Sequence, residues 1–275
     1  MTDDLVARLL DPDPEVHEDA VDDAAERAMN DDQGAVDALR DVVLHVERYP
    51  IGTFERTLNR LYAFANPSLE PAMMRALESG VSATWYLTAA CARAGFRGAV
   101  PYALALLGSP VTSERSVGCE VLGDLDAHEA VPHLVARLGD PEHVVREAAA
   151  GALAGLGGAD AVDALRRELV EHRFPLLGNV ANALGSIDPD QSVWLLDQAC
   201  APDVDTRYWA VRALGRTGSE RAHERLLHVA ADPAEETVAI ANGSTVASAA
   251  RKSLKTWQRV RRARTGTPSA SADPL

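Results

Sequence analysis

Aromatic residues make up only 5% of this 275-residue sequence, and it holds just three cysteines and two lysines. A core so poor in rings and rich in Ala and Leu is expected from helices packed closely on one another. Cys91, Cys119 and Cys200 lie far apart with no C-x-x-C among them, which removes the paired-cysteine motif of metal and redox sites. Each sits in an apolar helical pattern, where a free cysteine behaves as a small buried hydrophobe. No run of about 18 apolar residues occurs, so the sequence offers no transmembrane helix. The opening stretch, MTDDLVARLLDPDPEVHEDA, carries acids where a signal peptide needs a basic start and an apolar segment; a cytoplasmic location is expected. Also missing are a Gly-rich phosphate loop, G-x-S-x-G, H-E-x-x-H and any nucleophile–base arrangement. No catalytic, cofactor-binding or metal-ligating residue is therefore assigned. Arg outnumbers Lys 25 to 2, the mark of a GC-rich, bacterial genome.

Charge is plentiful but uneven. The net charge is −14, yet residues 1–50 hold 15 Asp/Glu against four Arg, and residues 251–264 hold seven Lys/Arg and no acid. A chain of this sign repels nucleic acid and anionic membrane unless one face is locally basic. It suits a basic protein or peptide partner. The terminal stretch RKSLKTWQRVRRAR offers phosphate binding, relief of self-repulsion, or a helix cap; a structural role is favoured.

Self-similarity is the main positive signal. Val100, Val131, Val162 and Val193 are 31 residues apart, as are Ala103, Leu134, Leu165 and Leu196, and Leu107, Leu138, Leu169 and Cys200. Leu122, Leu153, Leu184 and Leu214 follow at 31, 31 and 30. Within one unit, Val131, Leu134, Val135 and Leu138 form one apolar helix face. Gly139-Asp140-Pro141 stops that helix, with Gly tolerating a left-handed cap. Val145, Ala148, Ala149, Ala152, Leu153 and Leu156 form a second face, which Gly157-Gly158 ends. Each unit is a hairpin whose apolar side is buried only by stacking.

About eight hairpins are expected over residues 1–264: irregular and acidic in 1–66, regular in 67–220, and a capping repeat with a basic helix in 221–264. The eighth is interrupted at Asn242-Gly243, with Ser244 as a candidate N-cap, and 265–275 reads as a disordered tail.

The stretch VPHLVARLGDPEHVVREAAAGALAGLGG resembles HEAT repeats of the short bacterial kind, often called PBS-lyase HEAT-like repeats. The D-P-x-x-x-V-R-x-A-A-x-A-L-x-x-L-G pattern is met by Asp140, Pro141, Val145, Arg146, Ala148, Ala149, Ala152, Leu153, Leu156 and Gly157. The resemblance implies an all-α, right-handed α-α superhelix in which second helices line the concave face. It says little of function, since such repeats occur in scaffolds, bilin lyase subunits, DNA glycosylases and a di-iron hydroxylase.

In that register the outward column of Glu147 reads Trp85, Ser116, Glu147, Gly178, Tyr208. The column of Gly151 reads Ala89, Glu120, Gly151, Asn182, Arg212. Candidate binding residues are therefore Trp85, Glu120, Glu147, Asn182, Tyr208 and Arg212, the two aromatics as anchors. Trp209 is expected to pack between repeats. Arg115, Arg146 and Arg207 share a column read as a structural ladder to acids or caps of adjacent units.

A protein- or peptide-binding scaffold is the expected function, and a HEAT-like DNA glycosylase or other nucleic-acid-acting enzyme is the alternative. Arg207, Tyr208, Trp209 and Arg212 would serve a glycosylase, but Glu120 and Glu147 interrupt the groove. His17-Glu18 alone matches the ligand placement of the di-iron hydroxylase, and one pair cannot build a dinuclear site.

Overall fold

Ala, Leu, Arg and Glu, all strong helix formers, are abundant along the chain, and the computed structural model is helical in consequence. It describes residues 2–61, 67–80, 84–171, 177–187, 192–237 and 239–265. The helices are α1 (Thr2–Leu9), α2 (Pro14–Met29), α3 (Gln33–Leu44), α4 (Ile51–Leu61), α5 (Glu70–Ser79), α6 (Thr84–Arg93), α7 (Val100–Leu106) and α8 (Thr112–Asp124). They continue as α9 (Val131–Arg137), α10 (His143–Leu156), α11 (Gly158–Glu171), α12 (Gly178–Ile187), α13 (Ser192–Gln198), α14 (Val204–Thr217), α15 (Glu220–Ala231), α16 (Pro233–Thr237) and α17 (Val246–Thr265). Among the described residues there is no strand, and one isolated bridge joins Ala239 and Thr245. None of these helices is long and apolar enough to cross a membrane. The all-α solenoid expected from the repeat is what forms; the expected tail, beyond Thr265, lies outside the described residues.

The chain divides into two units, Met1–Ala130 and Val131–Leu275. In the first, α2, α4, α6 and α8 pack in chain order as one row, and α1, α3 and α5 form a second row. In the other, α10, α12, α14 and α17 form the row of second helices. Leu122, Leu134, Leu153, Leu165, Leu184 and Leu214 are all fully buried between hairpins. Each buried leucine contributes about 1.5–3 kcal/mol.

Three columns need correction in the seventh hairpin. Val100, Val131 and Val162 are buried, but Val193 is 52% exposed. Leu195 and Ala199, not Leu196 and Cys200, occupy the buried positions there. One residue has been lost between Leu184 and Leu195, so the first helix of that hairpin is turned by one position. Cys200 is accordingly exposed, whereas Cys91 and Cys119 are buried. Burial, with Glu70 nearby, pushes the Cys91 thiol up to about 12.

Hairpin turns also differ from the simple Gly-cap reading. Gly157 and Gly158 do take positive φ, 58° and 70°, but Gly139 is not among the positive-φ residues. There the Asp140 side chain accepts from the Glu142 amide at 3.0 Å. The final helix is capped by Thr245, whose Oγ1 accepts from Ser248 N at 3.1 Å, rather than by Ser244.

Many acids of the first unit are engaged internally. Asp22 on α2 accepts from Arg60 Nε at 2.5 Å and from Arg56 Nε at 3.0 Å, both on α4. Hydrogen bonds from Arg60 and then Arg56 hold its carboxyl far below the usual carboxylate range. A depressed acid contributes stability that is complete above its unfolded value, near pH 4, and lost as pH falls toward the folded one. Asp22→Asn should therefore lower stability by about 1 kcal/mol at pH 7. Urea titrations at pH 7 and pH 3 should show the gap to the parent chain narrowing at the lower pH.

The basic last helix is partly structural. Arg264 Nη1 donates to Thr217 O at 2.6 Å and Arg261 Nη1 to Gly218 O at 3.4 Å. These cations sit at the C-terminus of α14, where the helix dipole is negative. Arg261 also pairs with Glu220 at 2.6 Å, and Trp257 Nε1 donates to Ser219 O at 2.8 Å.

Candidate functional site

The second helices can present a surface only if their N-terminal turns are fixed, and an arginine column does this. Nη1 of Arg115 donates to Ser109 O at 3.0 Å and Pro110 O at 3.2 Å. Arg146 repeats the pattern to Asp140 O at 2.6 Å and Pro141 O at 2.7 Å. Arg207 does so to Ala201 O at 2.7 Å and Pro202 O at 2.9 Å. Each arginine thus ties down the carbonyls of its own hairpin turn, where acids or caps of neighbouring units were expected. Arg207 also meets an acid of the next hairpin, as expected: Glu235 on α16, at 3.3 Å.

Small residues then set how closely these helices approach. Ala154, Gly185 and Gly215 share one column of α10, α12 and α14. A Cβ at Gly185 would lie 2.3 Å from Ala213 O, and one at Gly215 would lie 2.8 Å from Ser253 on α17. By contrast, Gly151 and Gly155 on α10 have nothing within 4 Å. They leave open space on the outward side.

The open space at Gly151 is part of a depression of about 290 Å³ spanning α10, α12 and α14, lined by Glu147, Ala150, Gly151, Ala154, Asn179, Asn182, Ala183, Ser186 and Arg216. Arg216 Nε donates to Asn182 Oδ1 at 2.9 Å. Since Nε–H is a donor, the carboxamide oxygen must face it, and the two N–H groups of Asn182 are turned elsewhere. Glu147 is exposed, with His143 Nδ1 3.7 Å away.

Of the six residues chosen from the columns, Glu147 and Asn182 meet in this depression. Arg212 is half-buried on α14 and does not line it. Tyr208 corrects the expectation of an exposed anchor: it is 5% exposed, with its ring edge-on to Trp209 at 4.9 Å. It lies on α14, which packs against both α12 and the long α17. Trp209 lies over Gly178 of α12, where a Cβ would come within 3.4 Å of its ring, as packing between repeats requires.

The remaining two belong to the first unit. Trp85 is half-buried and stands edge-to-face with Tyr86 at 5.3 Å. Glu120 is exposed on α8 and accepts from Ser116 Oγ at 3.4 Å.

Column reasoning missed Asn179, Ser186 and Arg216. A third column, one turn beyond Gly151, runs Gly155, Ser186, Arg216 and would have found two of them. Of the pair placed like di-iron ligands, His17 is buried, with Nδ1 3.0 Å from Asp11 O and its ring against Gly52, and Glu18 pairs with Arg56 at 3.4 Å. Among the described residues no three His, Cys, Asp or Glu side chains converge as a metal-binding group.

The family model for HEAT repeats matches residues 100–177 and 175–245. No curated protein matches the sequence. Among solved structures, human deoxyhypusine hydroxylase in complex with glycerol is 16% identical, with 94% of this chain and 96% of that chain covered and a TM-score of 0.37. The complex of CpcE and CpcF of phycocyanin lyase from Nostoc sp. PCC7120 is 18% identical, with 94% of each chain covered and a TM-score of 0.44. An engineered protein is 17% identical, with 98% of this chain and 85% of that chain covered and a TM-score of 0.45.

Proposed function

Since the chain belongs to the HEAT-repeat family, we propose that it is a non-catalytic scaffold holding a protein or peptide segment against the outward side of its second helices. The observation that supports this reading is the depression across α10, α12 and α14. It joins small, open wall residues to a few polar groups that can fix an orientation, the usual make-up of a recognition site. Rigid stacked helices suit such a site, because little ordering is required on binding. Glu147 and Asn182 are its members foreseen in the columns, and Arg216 joins them. Arg212 flanks it on α14, while Trp85 and Glu120 offer a separate contact surface on the first unit. Exposed acids of residues 1–50 favour a partner that carries cations.

Polyanion binding has little to rest on here. Affinity for nucleic acid comes largely from converging cations, and this depression sets one arginine against one glutamate. Asn182→Trp should fill the space without touching a buried core position. It should weaken recovery of the partner from native lysate at least tenfold, about 1.4 kcal/mol, with the far-UV circular dichroism melt unchanged. Full recovery by this variant would remove the depression from the account.

A further inference from the structure

Resting on that peptide-binding reading, we infer that the depression selects an extended segment lying across the three second helices, with a cation toward α10 and a carboxylate toward α14. The polar groups are ordered by helix. Glu147 is on α10, Asn179, Asn182 and Ser186 are on α12, and Arg216 is on α14. One wall is therefore acidic, the floor neutral and amide-bearing, and the other wall basic. A segment with the opposite polarity would set like charges against both walls, which costs affinity and so enforces direction.

The floor fits a backbone. Because Arg216 occupies the Asn182 oxygen, that side chain offers N–H donors, and an extended chain presents carbonyls at regular spacing to accept them. Asn179 and Ser186 flank it along α12. Gly151 has open space where a side chain would otherwise hold a ligand off.

The span sets the spacing of the two charges. Packed helix axes lie about 8–10 Å apart, so α10 and α14 are separated by roughly 16–20 Å. Arg216 reaches inward to Asn182 on α12, which shortens that gap, and each extended residue advances about 3.3 Å. The cation and the acid should therefore stand about three to five residues apart. Arg216 supplies a planar donor fork suited to a carboxylate. Glu147 offers the complementary acceptor, with His143 as its nearby competitor.

Selection of phage-displayed random heptapeptides against the intact chain tests this. Enriched peptides should carry Lys/Arg and Asp/Glu three to five residues apart in a single chain order. A labelled peptide of that type should bind at least tenfold more weakly to Glu147→Gln and to Arg216→Glu. Selection against the Glu147→Arg, Arg216→Glu double variant should return the reversed order. Enrichment of peptides lacking this spacing, with binding abolished by Asn182→Trp, overturns the polarity while leaving the peptide-binding reading in place. No enrichment over the Asn182→Trp variant overturns both.

Discussion

Replacing Gly185 with alanine should destabilise the second unit by about 1–2 kcal/mol, although alanine is the better helix former. The propensity gain is about 1 kcal/mol in favour of the variant. Against it stands the new Cβ, 2.3 Å from Ala213 O and 2.8 Å from the Arg216 Cβ. Neither neighbour is the far end of a flexible chain, so α12 and α14 must move apart, and overpacking of this kind costs about 1–3 kcal/mol or more. Gly155 is the matching control. It is helical and exposed with nothing within 4 Å, and Gly155→Ala should stabilise by about 0.5–1 kcal/mol. Urea midpoints of the two variants should shift in opposite directions. Shifts of the same sign would mean that the small-residue column does not set the helix spacing.

Arg146→Ala should cost about 3 kcal/mol, the larger single effect expected from a polar change. The side chain is buried, and its Nη1 is the donor to the carbonyls of Asp140 and Pro141. Hydrogen bonds from a charged donor are worth about 1.5–3 kcal/mol, and deleting the donor strands acceptors at a buried turn. Arg146→Lys should recover only part, since a single ammonium replaces a planar fork. Hydrogen exchange would localise the effect, with amides of residues 139–146 in Arg146→Ala losing protection by about a hundredfold. An unchanged midpoint would leave the arginine ladder without a structural role. The ladder is not universal, however. Leu177 stands in the same column of the sixth hairpin and is buried as an apolar residue.

The hairpin rows were legible because burial is periodic. Val100, Val131 and Val162 repeat at one spacing, and each falls between the same two neighbouring surfaces. The register failed at Val193 because the missing residue lies between Leu184 and Leu195, where two adjacent leucines fit either alignment. Only packing distinguishes Leu195 from Leu196. Glu147 and Asn182 were legible as outward positions for the same periodic reason. Tyr208 was misjudged because a column gives the face of a helix, not what else covers that face. It is buried on α14, a second helix that packs against both α12 and the 20-residue α17. Arg216 was passed over because the columns stopped one turn short. The arginine ladder was recognised as structural, and Arg207 does meet an acid of the next hairpin; the turn carbonyls that all three arginines hold are revealed by no side-chain pattern.

Site-directed photo-crosslinking tests the binding surface most directly. Benzoylphenylalanine placed at Ser186, in the depression, should yield on irradiation in native lysate an adduct that maps to one short segment of a partner protein. The same group at Asp163, exposed on the first helix α11, should yield none. Equal adducts at both positions, or none at Ser186, would contradict the assignment of the second-helix row as the holding surface.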